Sequence, residues 1–421
     1  MTTPRTLRRA TAAVLALALA SAAPVAHAQA PAGPATAVAT PATTPATTPA
    51  TAPAAGSAPA AARQTAATGL LLPEPTGKAA AGRSTLHLVD RSRQDLWVPE
   101  RARELMVDVF YPARSTPRPP APYADPREAR LLLEDIEVRD EALVRRLGAT
   151  RAHSVVRARP QPGKHPLVLL SPGFGAPRFT LTTLAEDLAS RGYVVALVDH
   201  AYESSGTVFP GGRVLTCVAC RKAETQEDMR KATVNRAQDL SFVLDRLTGP
   251  RPAWPHASLI DRERVGAAGH SLGGAAAASV MAYDDRVRAG VNMDGTFGDP
   301  VPERGLGGRP FMLLGTGDAA HQPEGEDVTW DAAWRNLDGW KRWLAVTGTH
   351  HFTFSDLPAL FEQLRLPYPG TQPTIRADRA IGLVRTYTAA FFDLHLRGTH
   401  RPVLDGPTAE NPEVRFHHHD R

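Results

Sequence analysis

Cysteine is almost absent from the chain: 421 residues hold two, in Cys217-Val218-Ala219-Cys220. Zinc asks for four ligands and no second pair exists, so the motif does not read as a metal site, and nothing around it has the context of a catalytic dithiol. In an exported chain its expected state is a local Cys217–Cys220 disulfide within a surface loop. Lysine is nearly as scarce, occurring only at Lys78, Lys164, Lys222, Lys231 and Lys341, and we read the preference for arginine as coding bias. The 48 basic and 43 acidic residues leave a net charge of +5 with no massed block of either sign. That balance argues against a nucleic-acid partner. No aromatic residue occurs in the first 70 positions. No apolar run reaches the ~20 residues that a membrane-spanning helix needs, so no transmembrane segment is expected.

These absences divide the chain. Arg5, Arg8 and Arg9 precede an apolar run from Ala10 to Ala23, followed by Ala26-His27-Ala28. This is the plan of a secretory signal, with residues 1–28 removed after Ala28 and the mature protein exported. Residues 29–69 are rich in Ala, Pro and Thr, with too little apolar bulk to offset the entropy of ordering, and read as a linker. The folded unit is expected over residues 70–405, with 406–421 as a C-terminal tail.

Within that unit, short apolar runs alternate with stretches of helical period, the pattern of a mostly parallel central sheet flanked by helices. Strands are expected at Thr85–Val89, Leu105–Tyr111, Leu167–Ser171, Val194–Asp199, Val265–Gly269, Ala289–Met293, Phe311–Gly315 and Trp343–Thr347. Helices are expected at Thr180–Ser190, Glu224–Leu247, Leu272–Tyr283, Ala332–Asp338 and Arg379–Leu396. An insertion from Pro112 to His165, before the third strand, carries Ala129, Leu132, Leu133 and Ile136, then Leu143, Val144 and Leu147, at helical spacing. It reads either as a lid or as helices packed on the sheet edge. A second insertion, Ala201 to Lys222, reads as a long surface loop.

The chemistry centres on Gly269-His270-Ser271-Leu272-Gly273, a G-x-S-x-G between an apolar strand and an Ala-rich helix. A serine on such a sharp turn exposes its hydroxyl, and the flanking glycines avoid steric clashes. Ser271 is therefore the candidate nucleophile. It needs a base to take its proton and donors for the developing oxyanion. The Leu272 amide supplies one donor, and the turn Ser171-Pro172-Gly173-Phe174 after an earlier strand supplies the Phe174 amide as the second. Only His350 and His351 follow a late strand, and His351 is preferred as base; His395, His400 and the triplet His417–His419 read as surface or solvated groups. Two acids close strands, Asp294 and Asp318, and spacing alone does not choose between them.

These residues resemble the α/β-hydrolase serine esterases and, within them, the group of platelet-activating factor acetylhydrolase. The likeness runs from about residue 162 to 356, through Pro162–Gly175, the stretch Leu188–His200, the Gly269–Gly274 turn, Ala289–Gly295 and the H-x-x-F-x-D from His351 to Asp356. It implies an α/β-hydrolase fold, Asp294 as acid and His351 as base. It also implies no metal or organic cofactor, and hydrolysis of short or oxidised acyl chains from glycerophospholipids through an acyl-enzyme. Secreted relatives that cleave polyesters and lipids, and share S-P-G-[FY], place the acid on the later strand, which keeps Asp318 as the alternative. The family usually carries Ser-His-Gly-Leu where this chain has Ser-Pro-Gly-Phe, so substrate preference is not carried over. The expected partner is a small-molecule or lipid ester, with transient contact to a lipid surface. A cutinase-like polyester or triglyceride hydrolase, and a non-catalytic surface-binding protein on the same fold, are the alternatives. Oligomeric state is left open.

Overall fold

The computed structural model describes residues 68–115 and 117–418. The export signal and almost all of the linker expected from the sequence lie outside the described residues.

Ten strands form one sheet in the order β12-β11-β10-β9-β8-β4-β5-β2-β1-β3. Its centre is parallel: β4 (His165–Ser171), β5 (Val194–His200), β8 (Ile260–His270), β9 (Val287–Met293), β10 (Phe311–Thr316) and β11 (Lys341–Val346). Most positions in these strands are buried on both faces, as their Val, Leu and Ala runs require. At one side β2 (Ala102–Ala113) pairs antiparallel with β5 and with β1 (Ala80–Gln94), and the two-residue β3 (Val155–Val156) adds to β1.

Helices cover both faces. Helices α1 (Pro126–Asp135) and α2 (Glu141–Gly148) form the first insertion, and α3 (Thr182–Ser190) follows the Ser171–Phe174 turn. Next come α4 (Ala219–Lys222), α5 (Gln226–Thr248), α6 (Leu272–Tyr283) and α7 (Val328–Asn336). The last two are α8 (Leu357–Leu364) and α9 (Ala377–Arg397). One apolar cluster includes Leu240, Val243 and Leu247 of α5 together with Ala276, Ala277 and Val280 of α6. A second includes Leu184 and Leu188 of α3 with Tyr387, Phe391 and Phe392 of α9. Among the described residues no helix is long and apolar enough to cross a membrane.

Several expectations are corrected. The stretch expected as a tail holds β12 (Val414–His417), which pairs antiparallel with β11 through Val346↔Val414 to Trp343↔His417. His417 lies edge-on to Trp343 at 6.2 Å and the exposed His418 stacks on Trp334 at 5.4 Å between ring centroids, so these two histidines pack on the fold; His419 lies outside the described residues. His395 also faces inward, 4.4 Å from the Trp340 ring and 4.7 Å from Phe391, and burial pushes its pKa down to about 4. The second insertion is no surface loop. It folds as the hairpin β6 (Thr207–Val208) and β7 (Val214–Leu215) followed by α4, and buries Ala201, Phe209, Cys217 and Ala219. The expected disulfide between Cys217 and Cys220 is present. Helix α8 was not anticipated; its Leu357, Leu360, Phe361 and Leu364 pack with Leu132, Leu133, Val144 and Leu147 of the first insertion.

Candidate active site

The site forms where strand ends of the parallel sheet meet helix starts. β8 ends at His270 and α6 begins at Leu272, which leaves Ser271 alone on the turn at φ 56° and ψ −126°. A side chain rarely accepts a positive φ, and such strain concentrates where a reactive group must be presented. The turn is held by the Ser271 amide donating to Met293 O at 2.8 Å. It is also crowded: a Cβ on Gly273 would collide with Ser171 O, so α6 can approach β4 only through glycine there.

Ser271 Oγ lies 3.0 Å from His351 Nε2, and His351 Nδ1 lies 2.7 Å from Asp294 Oδ2. Three distant segments therefore meet in one chain of hydrogen bonds. His351 opens a single 3-10 turn, His351–Phe354, after β11. Asp294 follows β9, again at positive φ (60°), and its side chain is 1% exposed. Its other oxygen, Oδ1, accepts from the Thr316 amide at 2.7 Å and lies 2.9 Å from His321 Nδ1. Burial alone would raise the Asp294 pKa, but the two imidazoles hold it well below the ordinary carboxylate range. The carboxylate is thus ionised throughout the pH range in which an imidazole acts as base.

The other candidates are not brought to this chain. Asp318 is exposed and accepts from Thr316 Oγ1 at 2.8 Å and from the Ala320 amide at 3.0 Å. His350 caps the 3-10 turn, its ring near Phe352 and Tyr368. Asp356, the last letter of the H-x-x-F-x-D, serves as an anchor: its carboxylate accepts from Thr183 Oγ1, from the Thr183 amide and from Tyr123 Oη. That ties the His351 turn to the start of α3.

Leu272 and Phe174 stand together beside the serine in one apolar cluster with Trp97, Val218, Met229 and the disulfide. Neither amide donates a hydrogen bond to another of the described residues. Gly173 is close enough that a Cβ there would touch Ser271 Cβ at 3.4 Å. Two free amides flanking a serine hydroxyl are what a developing oxyanion requires.

The Ser171–Phe174 turn rests on a buried charged network that sequence reasoning missed. Arg236 donates to Pro172 O at 2.6 Å and pairs with Glu203 at 2.7 Å. The Gly175 amide donates to Glu203 O at 2.9 Å. Arg103 joins Glu203, Asp95 and Asp239, and Asp239 in turn holds His200, whose Nε2 lies 2.9 Å from Ser171 Oγ. Ser171, His200 and Asp239 thus form a second serine–histidine–aspartate chain, but one sealed from solvent and without access for a substrate. Arg103 and Arg236 are fully buried, so the arginine preference has a structural use that coding bias does not cover: a planar guanidinium satisfies several carboxylates at once. The detectable signal was α5 itself, where Arg236 and Asp239 interrupt the inward stripe of Ala232, Leu240 and Val243. Among the described residues, no group of three or more His, Cys, Asp or Glu side chains is placed to hold a metal ion.

A mostly parallel sheet whose central strand delivers a strained serine onto the start of a helix defines the class: the protein is an α/β-hydrolase esterase. More particularly, the chain belongs to the family described as platelet-activating factor acetylhydrolase, isoform II, whose sequence model matches residues 87–238 and 256–401. It is similar to a probable 1-alkyl-2-acetylglycerophosphocholine esterase of Arthroderma benhamiae, 29% identical over 83% of this chain and 94% of the relative. It is also similar to the platelet-activating factor acetylhydrolase of Bos taurus, 30% identical over 31% of this chain and 35% of that protein. Among solved structures, a ferulic acid esterase from Streptomyces cinnamoneus superposes with a TM-score of 0.73. It is 44% identical and covers 83% of this chain and 99% of its own. The protein is accordingly a carboxylic ester hydrolase.

Proposed function

We propose that the protein is an exported serine esterase that cleaves esters of short acyl groups, sn-2 acetyl glycerophospholipids among them, through an acyl-enzyme. The observation that carries the reading is the hydrogen-bonded run Ser271–His351–Asp294 facing two unused amides. In the first half-reaction Ser271 Oγ bonds to the acyl carbon and His351 takes the hydroxyl proton. The ester C–O bond then breaks as His351 gives that proton to the departing alcohol. Water, deprotonated by His351, attacks the acyl-serine and returns the enzyme. Asp294 orients the imidazole and stabilises its charged form, while the Phe174 and Leu272 amides bind the oxyanion. Residues 1–28 would direct export and be removed, and the following Ala/Pro/Thr stretch would tether the enzyme.

A second reading concerns the acyl group. The 44% identity to a ferulic acid esterase over nearly all of that chain, with the half-buried Phe174 clustered with Leu272, the residue after the serine, supports hydroxycinnamoyl esters as substrates. A panel of acetyl to long-chain p-nitrophenyl esters, a 1-alkyl-2-acetyl phosphocholine and methyl ferulate separates the two readings. Preference for the acetyl phospholipid supports the first and preference for methyl ferulate the second. Turnover of long chains or polyester films would favour the cutinase-like alternative. No turnover of any ester, together with no reaction of Ser271 with a fluorophosphonate probe, would sink all of them.

A further inference from the structure

Asp294 uses only one carboxylate oxygen on His351. The other meets His321, whose Nδ1 lies 2.9 Å away, and His321 is 7% exposed. Every element around His321 holds it in that pose. Its own carbonyl accepts from Trp343 Nε1 at 3.0 Å, its ring packs against Trp330 at 4.4 Å between centroids, and Thr316 Oγ1 lies 3.3 Å from Nδ1. On its far side, Asp327 at the start of α7 places Oδ2 3.5 Å from Nε2. Two carboxylates therefore bracket one imidazole in a buried pocket, and His351, His350 and Asp318 are the other titratable groups nearby. Burial would strip the proton from His321, but Asp294 and Asp327 outweigh it and push its pKa up to about 10.

Resting on the esterase reading above, we propose that His321 is a positioning residue for this reaction, a fixed cation that grips the second oxygen of Asp294 and keeps the first aimed at His351. The Thr316 amide also donates to that second oxygen at 2.7 Å, and His321 adds to this main-chain hydrogen bond a charged side-chain one, so that the carboxylate is held at both oxygens. The cation also takes a share of the Asp294 charge that would otherwise act wholly on the imidazolium formed at His351.

This second effect has a signature that packing lacks. The variant H321N keeps an N–H donor near the Nδ1 position and removes the positive charge. With the cation gone, Asp294 holds the protonated base more strongly, so the acid limb of kcat/KM moves to higher pH by about one unit. That shift reads as a loss of about tenfold at pH 6, with activity at pH 8.5 staying within about threefold. D327N, in which Asn can still cap α7, removes the carboxylate that opposes the His321 cation while Asp294 keeps that cation charged; it should move the limb the opposite way, to lower pH, by less than about one unit, and it serves if H321N does not fold. An active wild-type enzyme whose acid limb is the same in both variants overturns the role of His321 alone. A wild-type protein that neither turns over esters nor labels at Ser271 overturns the esterase reading and this inference with it.

Discussion

His270 donates its Nε2 proton to the main-chain oxygen of His351 at 2.8 Å, and the two rings lie 4.7 Å apart. The residue before Ser271 thus steadies the turn that carries His351. Burial, reinforced by the neighbouring His351, holds the pKa of His270 down at about 3, so it is a neutral donor at working pH. Replacing it with alanine should lower kcat about tenfold with little change in KM, because alignment rather than binding is lost. Gln, which retains a donor, should recover part of the rate. Steady-state kinetics on one short ester checks both.

The two candidate acids make a direct contrast. Asp294→Asn should reduce kcat by about 10³-fold or more, since the amide favours the wrong imidazole tautomer. Asp318→Asn should stay within about threefold of wild type, as Asp318 only caps its own loop. Equal, mild losses in the two variants would show that the acid lies elsewhere.

Asp356 supplies a pH dependence of stability. Burial raises its pKa to about 7 against hydrogen bonds from Thr183 that lower it. The folded protein therefore binds this proton more tightly than the unfolded chain. Its contribution is fully present below about pH 4, is lost as pH rises to about 7, and is flat beyond, a change on the order of a few kcal/mol. Urea unfolding at pH 4.5, 6 and 8 should show this slope in the wild type and a flatter profile in Asp356→Asn.

The Cys217–Cys220 disulfide closes so short a loop that chain entropy assigns it only about 2 kcal/mol. Its position matters more than its length. A Cβ on Gly175 would stand 3.8 Å from Cys220 Sγ, and the bridge shares an apolar cluster with Phe174 and Leu272. The double variant Cys217→Ser, Cys220→Ser should shift Tm by only a few degrees while kcat/KM falls about tenfold. A large fall in Tm with unchanged kinetics would assign the bridge to stability instead.

What could be read from the chain was what is local. The Ser271 turn carries its own signature in five consecutive residues, and the central strands are near-continuous apolar runs, so both were placed within a few residues. Asp294 needed the family resemblance, because a strand end followed by Asp occurs twice and nothing nearby separates the two. His321 and the Arg236–Glu203–Arg103–Asp239 network were invisible for another reason. Their partners lie far apart in sequence, and in a linear reading a buried charge looks like a surface one. β12 escaped because Arg415 and His417 give it the look of a polar tail, whereas an edge strand buries little and needs mainly backbone partners.

That edge strand bears on how the chain is completed. β11 sits beside the His351 turn, and until Val414–His417 pairs with it, its outer row of backbone donors and acceptors has no partner from β12. A chain still being synthesised would therefore expose an open template for pairing with other chains until Val414–His417 has emerged. A product ending at residue 405 would keep Ser271, Asp294 and His351 and yet remain prone to self-association.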